Sequence, residues 1–232
     1  MILFIKLLLA HLLGDFVLQP NRWVVHKESH KAASAYLFVH TLIHFVLIVV
    51  ILWDIHYWKL ALAVAASHYL IDLAKLYSNH LFRYRALPFF IDQFLHISVL
   101  YFAAYQGEFR EHSLYLIGQI NWALLTAVVF VSFPSAIIMN RLLEQMSDQI
   151  ELNHKSLPNA GKYIGIMERL FVLLFIIIGR WDAIGLLITA KSVFRFNDLK
   201  ASNNRKLTEY ILIGTFLSFG IAVLTGLVYL QF

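Results

Sequence analysis

The sequence predicts an all-α polytopic membrane protein of about eight transmembrane helices, the first four forming a metal-binding bundle. Three observations lead there. The 232 residues are 60% apolar or aromatic and 14% charged, with a mean hydropathy of +0.69. Water-soluble domains run at about 45–50% apolar and about 25% charged, so this chain has too little polar surface to coat a globule in water. Eight apolar stretches approach the ~20 residues that cross a bilayer. Each of the first four carries two His or Asp residues spaced four apart.

The eight stretches run at 1–19, 35–53, 58–77, 88–106, 118–143, 161–179, 181–196 and 207–230. The first resembles a signal sequence, but His11 and Asp15 follow at once without a small-residue cleavage site, so it is read as a retained helix. The first and seventh are short and charged, which suits re-entrant segments or helices packed inside protein. Pro20 and Pro88 stand where a helix should stop or start, and Pro134 falls within the fifth stretch and should kink it. Trp53, Trp58, Trp122 and Trp181 lie near segment ends, as an interfacial aromatic belt requires. Between the first two stretches, WVVHKESHK reads as an interfacial amphipathic segment, with Lys27 and Lys31 toward anionic lipid and His26 and His30 in water.

Basic residues alternate between the connections. The odd-numbered ones hold thirteen Lys and Arg and the even-numbered ones hold three, Lys59, Arg110 and Arg180. By the positive-inside rule the odd connections are cytoplasmic and both termini are extracytoplasmic. The net charge of +5 and pI near 9.4 then reflect loops facing anionic lipid, and no nucleic-acid partner is expected. Without cysteine there is no disulfide, iron–sulfur cluster, thiolate zinc site or cysteine nucleophile. Any metal must be held by His, Asp or Glu.

The paired residues are His11 and Asp15, His40 and His44, His68 and Asp72, and Asp92 and His96. A spacing of four puts each pair on one helix face. Because alternate helices run in opposite directions, Asp15, His40, Asp72 and Asp92 fall in a shallow cytoplasmic-side layer, with His11, His44, His68 and His96 about one turn deeper. The first two helices also read as a duplicate of the third and fourth, in which HxxxD then (H/D)xxxH recurs. Imidazoles and carboxylates in this number suit two or three divalent ions, Zn foremost, with Mn and Fe as alternatives. A single buried histidine is more often a hydrogen-bonded core residue; four matched pairs at one depth favour metal. Asp15, Asp72 and Asp92 are the candidate catalytic carboxylates, able to bridge ions or take a proton.

HLLGDFVLQP near the N-terminus, HxxxH in the next helix and SHYLIDLAK in the third resemble a bacterial membrane family, domain-of-unknown-function family 3307. GKYIGIMERL, AKSVFRFNDLK and EYILIGTFLSFGIA extend that resemblance over nearly the whole chain. More distantly, the paired HxxxD helices are similar to membrane-bound metal-dependent hydrolases and to the zinc phospholipase C and P1 nuclease group. That resemblance implies phosphoester hydrolysis and a ligand role for His11, Asp15, His68 and Asp72. It also implies the bacterial inner membrane. The soluble enzymes use an N-terminal tryptophan amine as well, where this chain has Met1.

The expected division is 1–115, the four-helix site bundle, and 116–232, the C-terminal helices with basic cytoplasmic-side residues. Lys75, Arg169 and Lys191 are candidate partners for an anionic substrate, with Glu168 balancing one cation. The leading functional expectation is a metal-dependent hydrolase of a phosphoester in a lipid or lipid-linked substrate near the cytoplasmic leaflet. One alternative is a divalent-cation or proton transporter, against which stands the lack of Gly/Pro-broken helices at the cluster. Another is a haem protein, which would leave three carboxylates buried beside porphyrin.

Overall fold

A computed structural model describes residues 1–84, 86–106, 120–147, 160–202 and 205–232, without the side chains of 194–202. The expected boundary at 115, Arg85, Arg110, Lys155 and the side chains of Arg195 and Lys200 lie outside these. The described residues are all-α and divide into two compact units, Met1–Thr126 and Ala127–Phe232.

The first unit opens with α1 (Ile2–Leu12), which continues as a π-helical turn over Leu13–Val17. Pro20 lacks an N–H and sits extended at ψ 147°, so the chain restarts as α2 (Asn21–His30). The segments Ile2–Val17 and Asn21–Ala33 meet at 85°. Then come α3 (Ala35–Leu52), α4 (Trp58–Ser78) and α5 (Ala86–Gln106). Trp53, in the left-handed region at φ 50°, ends α3. Pro88 is tolerated in the first turn of α5, where no intrahelical N–H is lost.

α1 packs on α3 and α5, and α4 packs on the same two helices, which closes a ring of four. Ala10, Ala61 and Ala65 are buried in that ring, and small side chains let apolar helices approach closely where lipid offers no hydrophobic drive. The ring is polar inside and apolar outside. Phe38, Leu42, Leu62, Leu70, Phe94 and Phe102 are exposed, while all five paired histidines are buried.

The second unit contains α7 (Pro134–Ser147), α8 (Ala160–Ile177), α9 (Trp181–Ser202) and α10 (Arg205–Tyr229), following α6 (Trp122–Ser132), which straddles the boundary. Within this unit α8 packs on α7, α9 and α10. Gly179, at φ +70°, ends α8: Arg180 N–H donates to Phe175 O and Gly179 N–H to Ile176 O, which satisfies the last carbonyls. Pro134 interrupts the fifth predicted stretch at Phe133, as expected.

Five segments among the described residues are long and apolar enough to cross a membrane, or six if the bent first pair counts as one. This is consistent with an integral membrane protein. The predicted stretches at 161–179 and 181–196 are helical but fall outside that set. α8 carries Lys162, Glu168 and Arg169 in its first ten residues, and Asp182 and Lys191 interrupt the apolar run of α9.

Candidate metal centre

The four-helix ring brings all eight paired residues together. They fall into three groups whose ligand atoms lie within 4.8 Å of one another: His11, Asp15, His44 and His68; His40, His68 and Asp72; and Asp15, Asp92 and His96. Asp15 and His68 each belong to two groups. The centre is therefore contiguous rather than three separate pockets.

Asp15 is the hub. Its Oδ1 accepts from His44 Nε2 and His68 Nε2, each at 3.0 Å, and His40 Nε2 stands 3.2 Å away. The expected shallow and deep layers thus meet at one carboxylate. The π-helical turn is what carries it there: Leu18 N–H bonds Leu13 O, five residues back, in a turn wider than an α-helical one. Gly14 lies inside that turn against the His44 ring, and a Cβ on it would collide with the imidazole.

Several polar atoms of the cluster are buried without a hydrogen-bond partner among the described residues. They are His40 Nδ1, His68 Nδ1, Asp92 Oδ1 and His96 Nε2. His96 Nε2 sits 3.4 Å from Asp92 Oδ1 and 3.6 Å from Asp72 Oδ1 without bonding either. An orphaned buried polar atom is costly, and several in one cluster of ligand-type residues is what a cation would relieve. Five imidazoles with three carboxylates make a nitrogen and oxygen donor set that fits a divalent ion of zinc's kind.

Two lysines and a glutamine complete the cluster. Lys27, on α2, is buried and donates to Asp72 Oδ2 at 2.8 Å. Lys75 donates to Asp92 Oδ2 at 2.8 Å. Gln93 accepts from His11 Nε2 through its Oε1 and donates through Nε2 to Asp15 Oδ2 and Asp92 Oδ2. Sequence reasoning sent Lys27 to the lipid surface and passed over Gln93. The available signals were three buried carboxylates needing cations and an uncharged polar residue beside Asp92 in an apolar helix. His26 Nδ1 pairs with Ser34 Oγ and its ring stacks on His30; neither histidine belongs to the three ligand groups.

The two substrate candidates of the second unit have protein partners there. Arg169 is buried; its Nε donates to Val131 O at 2.6 Å, Nη2 to Ser132 O and Nη1 to Ser218 Oγ. Val131 and Ser132 are the last two residues of α6, just before the break at Phe133 and Pro134, so the guanidinium serves carbonyls at the end of that helix. Lys191 donates to Glu168 Oε2 at 2.6 Å and lies over the Phe219 ring. This is the internal charge balance expected of Glu168.

A ring of four helices, three of them long and apolar enough to cross a membrane, apolar outside and lined with His and Asp inside, is consistent with a helical membrane protein carrying a candidate metal centre. The chain belongs to the family described as protein of unknown function (DUF3307), whose model matches residues 3–125. That range coincides almost residue for residue with the first unit and contains every paired ligand. The resemblance read over the second half lies beyond the match. No curated protein and no solved structure matches the chain.

Proposed function

We propose that the chain is a membrane-embedded, metal-dependent phosphoester hydrolase. The observation that carries this reading is the sharing of Asp15 and His68 between neighbouring groups, which would hold two or three ions close together. His11, His44 and His68 would bind one ion with Asp15; His40 and Asp72 a second, which His68 would bridge only as the imidazolate, its second ring proton passing to water; Asp92 and His96 a third, sharing Asp15. Zinc is the first candidate, and Mn or Fe suit the same donors. Such ions supply Lewis acidity toward a phosphoryl oxygen and make water a nucleophile near neutral pH. The contacts of His44 Nε2 and His68 Nε2 with Asp15 bring together the atoms that an ion would take in place of those hydrogen bonds, and Gln93 holds Asp15 and Asp92 in place. Lys75, beside Asp92, is the cation of the first unit placed to receive a substrate's charge.

The finer topology belongs to the same reading: eight spans, with α8 and α9 crossing by virtue of their internal ion pair, in a bacterial inner membrane with both termini outside. On that orientation the Lys27 and Lys75 side of the cluster faces the cytoplasmic leaflet.

Metal analysis of protein purified without chelator, paired with His68→Ala, tests the proposal. Two or more equivalents of transition metal are expected, with a fall in the variant and metal-dependent cleavage of a phosphoester by the wild type alone. Folded wild-type protein free of metal would overturn it.

One observation favours a second reading. The π-helical turn at Asp15 is a helix irregularity at the cluster itself, of the kind that ion carriers place at their binding sites. Metal flux into proteoliposomes without phosphoester cleavage would decide for transport.

A further inference from the structure

The cluster has two faces. On the side of the deeper imidazoles, Leu7, Ile48 and Leu100 close a cavity of about 10 Å³ against His11, His44, His68 and His96. That is room for about one water, too little for a substrate. On the other side a recess of about 90 Å³ opens between α4 and α5. Ile71, Ala74, Ile91 and Leu95 line it together with Lys75 and Asp92. Ala74, Ile91 and Leu95 form its exposed rim, whereas Asp92 is buried.

We propose that this recess is a lateral port for a phosphate-bearing lipid. The start of an acyl chain lies along Ile71, Ala74, Ile91 and Leu95, and the phosphate bonds Lys75. Delivery of that phosphate to the Asp15, Asp92 and His96 group rests on the hydrolase reading above; the binding itself does not.

Charge, size and depth support the port. Both members of the Lys75–Asp92 pair line the recess, and the lysine side chain is the more exposed of the two, 28% against 2% for the carboxylate. An anion arriving through the recess therefore meets a cation first. Pockets that enclose a whole small molecule measure about 300–1,000 Å³, so this one admits only part of its ligand and leaves the rest in the bilayer. Lys75 is one turn from the end of α4, roughly 4–5 Å inside it, level with headgroups rather than mid-membrane. Tyr77, Arg83 and Tyr84 are exposed at the same end, as an interfacial girdle would be. A water-borne phosphate ester gains nothing from the aliphatic rim, whereas a lipid's acyl chain stays against apolar surface there.

Lipid retention reads the port directly. Full-length protein in phosphatidylcholine nanodiscs containing dioleoyl phosphatidic acid is released into detergent, and bound phosphatidic acid is counted by native mass spectrometry, with metal content measured on the same sample. Wild type should retain phosphatidic acid over phosphatidylcholine by about tenfold, because the choline of the latter neutralises its phosphate while the former brings a net negative charge and a free monoester to Lys75. Lys75→Gln should abolish the preference, and Leu95→Trp, which fills the rim, should lower retention. Leu186→Trp, on an exposed face of α9, should do neither. Should Lys75→Gln fail to fold with Asp92 unpaired, Leu95→Trp decides alone. Equal retention by wild type and Leu95→Trp would overturn the port, and so would displacement of the lipid by inorganic phosphate. Retention without cleavage by metal-loaded protein would sink the hydrolase and leave the port; cleavage of a water-soluble phosphoester without lipid preference would do the reverse.

Discussion

Lys27 Nζ lies 2.8 Å from Asp72 Oδ2, although Lys27 belongs to a short helix that leaves α1 at 85° and Asp72 to the far side of the ring. Both side chains are more than nine-tenths buried, so the ammonium is a cation tethered inside the candidate metal centre. Removing one member of a buried pair costs about 3–5 kcal/mol because the other charge is left uncompensated. Lys27→Met should therefore lower the thermal stability of chelator-treated protein in detergent. Added zinc should recover most of the deficit, since an ion at His40, His68 and Asp72 gives the carboxylate another cation. A deficit unchanged by metal would show that Asp72 holds none.

Gly14→Ala should be destabilising by about 1–3 kcal/mol, the usual cost of forcing a methyl group into a filled space. The obstruction is the His44 ring, so zinc content should fall as well. Gly185→Ala is the control, since nothing lies within 4 Å of its added Cβ. It should be neutral or slightly stabilising in the same melts. Equal behaviour of the two variants would mean that the approach of Gly14 to His44 is not maintained.

The hub position of Asp15 predicts unequal losses. Asp15→Asn weakens two ligand groups and Asp92→Asn one, so the first should lose more metal by elemental analysis of folded protein. Where turnover is measurable, kcat should fall with metal content in both. Identical stoichiometry in the two variants would break the argument from sharing.

Arg169→Met keeps the length of the side chain and removes its donors. The carbonyls of Val131 and Ser132 would lose their guanidinium partner, at a cost of about 1–3 kcal/mol in thermal or denaturant unfolding. Its metal content should equal that of the wild type, because every candidate ligand lies in the other unit. Loss of metal from folded Arg169→Met would mean that the centre depends on both halves of the chain.

Orientation is checked by reporters. A fusion after Phe232 should behave as extracytoplasmic and one near Asn203 as cytoplasmic. The reverse pattern would move the Lys75 side of the cluster to the outer leaflet.

Much of this was legible in the sequence because a membrane restricts what a chain can do. Where lipid cannot satisfy backbone polar groups, a long apolar stretch has to be helical, so helix positions followed from composition alone. In the same medium eight His and Asp residues are too costly to face lipid, and the spacing of four put each pair on one face, so their convergence was readable residue by residue. The division of roles among them was not. Asp15, His40, Asp72 and Asp92 were expected in one layer, yet Asp15 reaches across to His44 and His68, because a π-helical turn shifts it off the α-helical register and periodicity assumes a constant turn.

The sequence by itself determined that the chain is helical, that it is apolar enough to cross a bilayer, and that each of its first four apolar stretches carries two His or Asp residues on one helix face. These follow from local composition and spacing, which act over one or two turns. Only the tertiary structure decided that Asp15 and His68 are shared, that Lys27 folds back onto Asp72, that Lys75 pairs with Asp92 at the edge of a recess, and that Arg169 serves carbonyls beside a proline break. Each joins residues at least 17 positions apart, through the bend at Pro20 or across a helix–helix contact. A helix's sequence fixes which face is polar, but the helix packed against that face selects the partner.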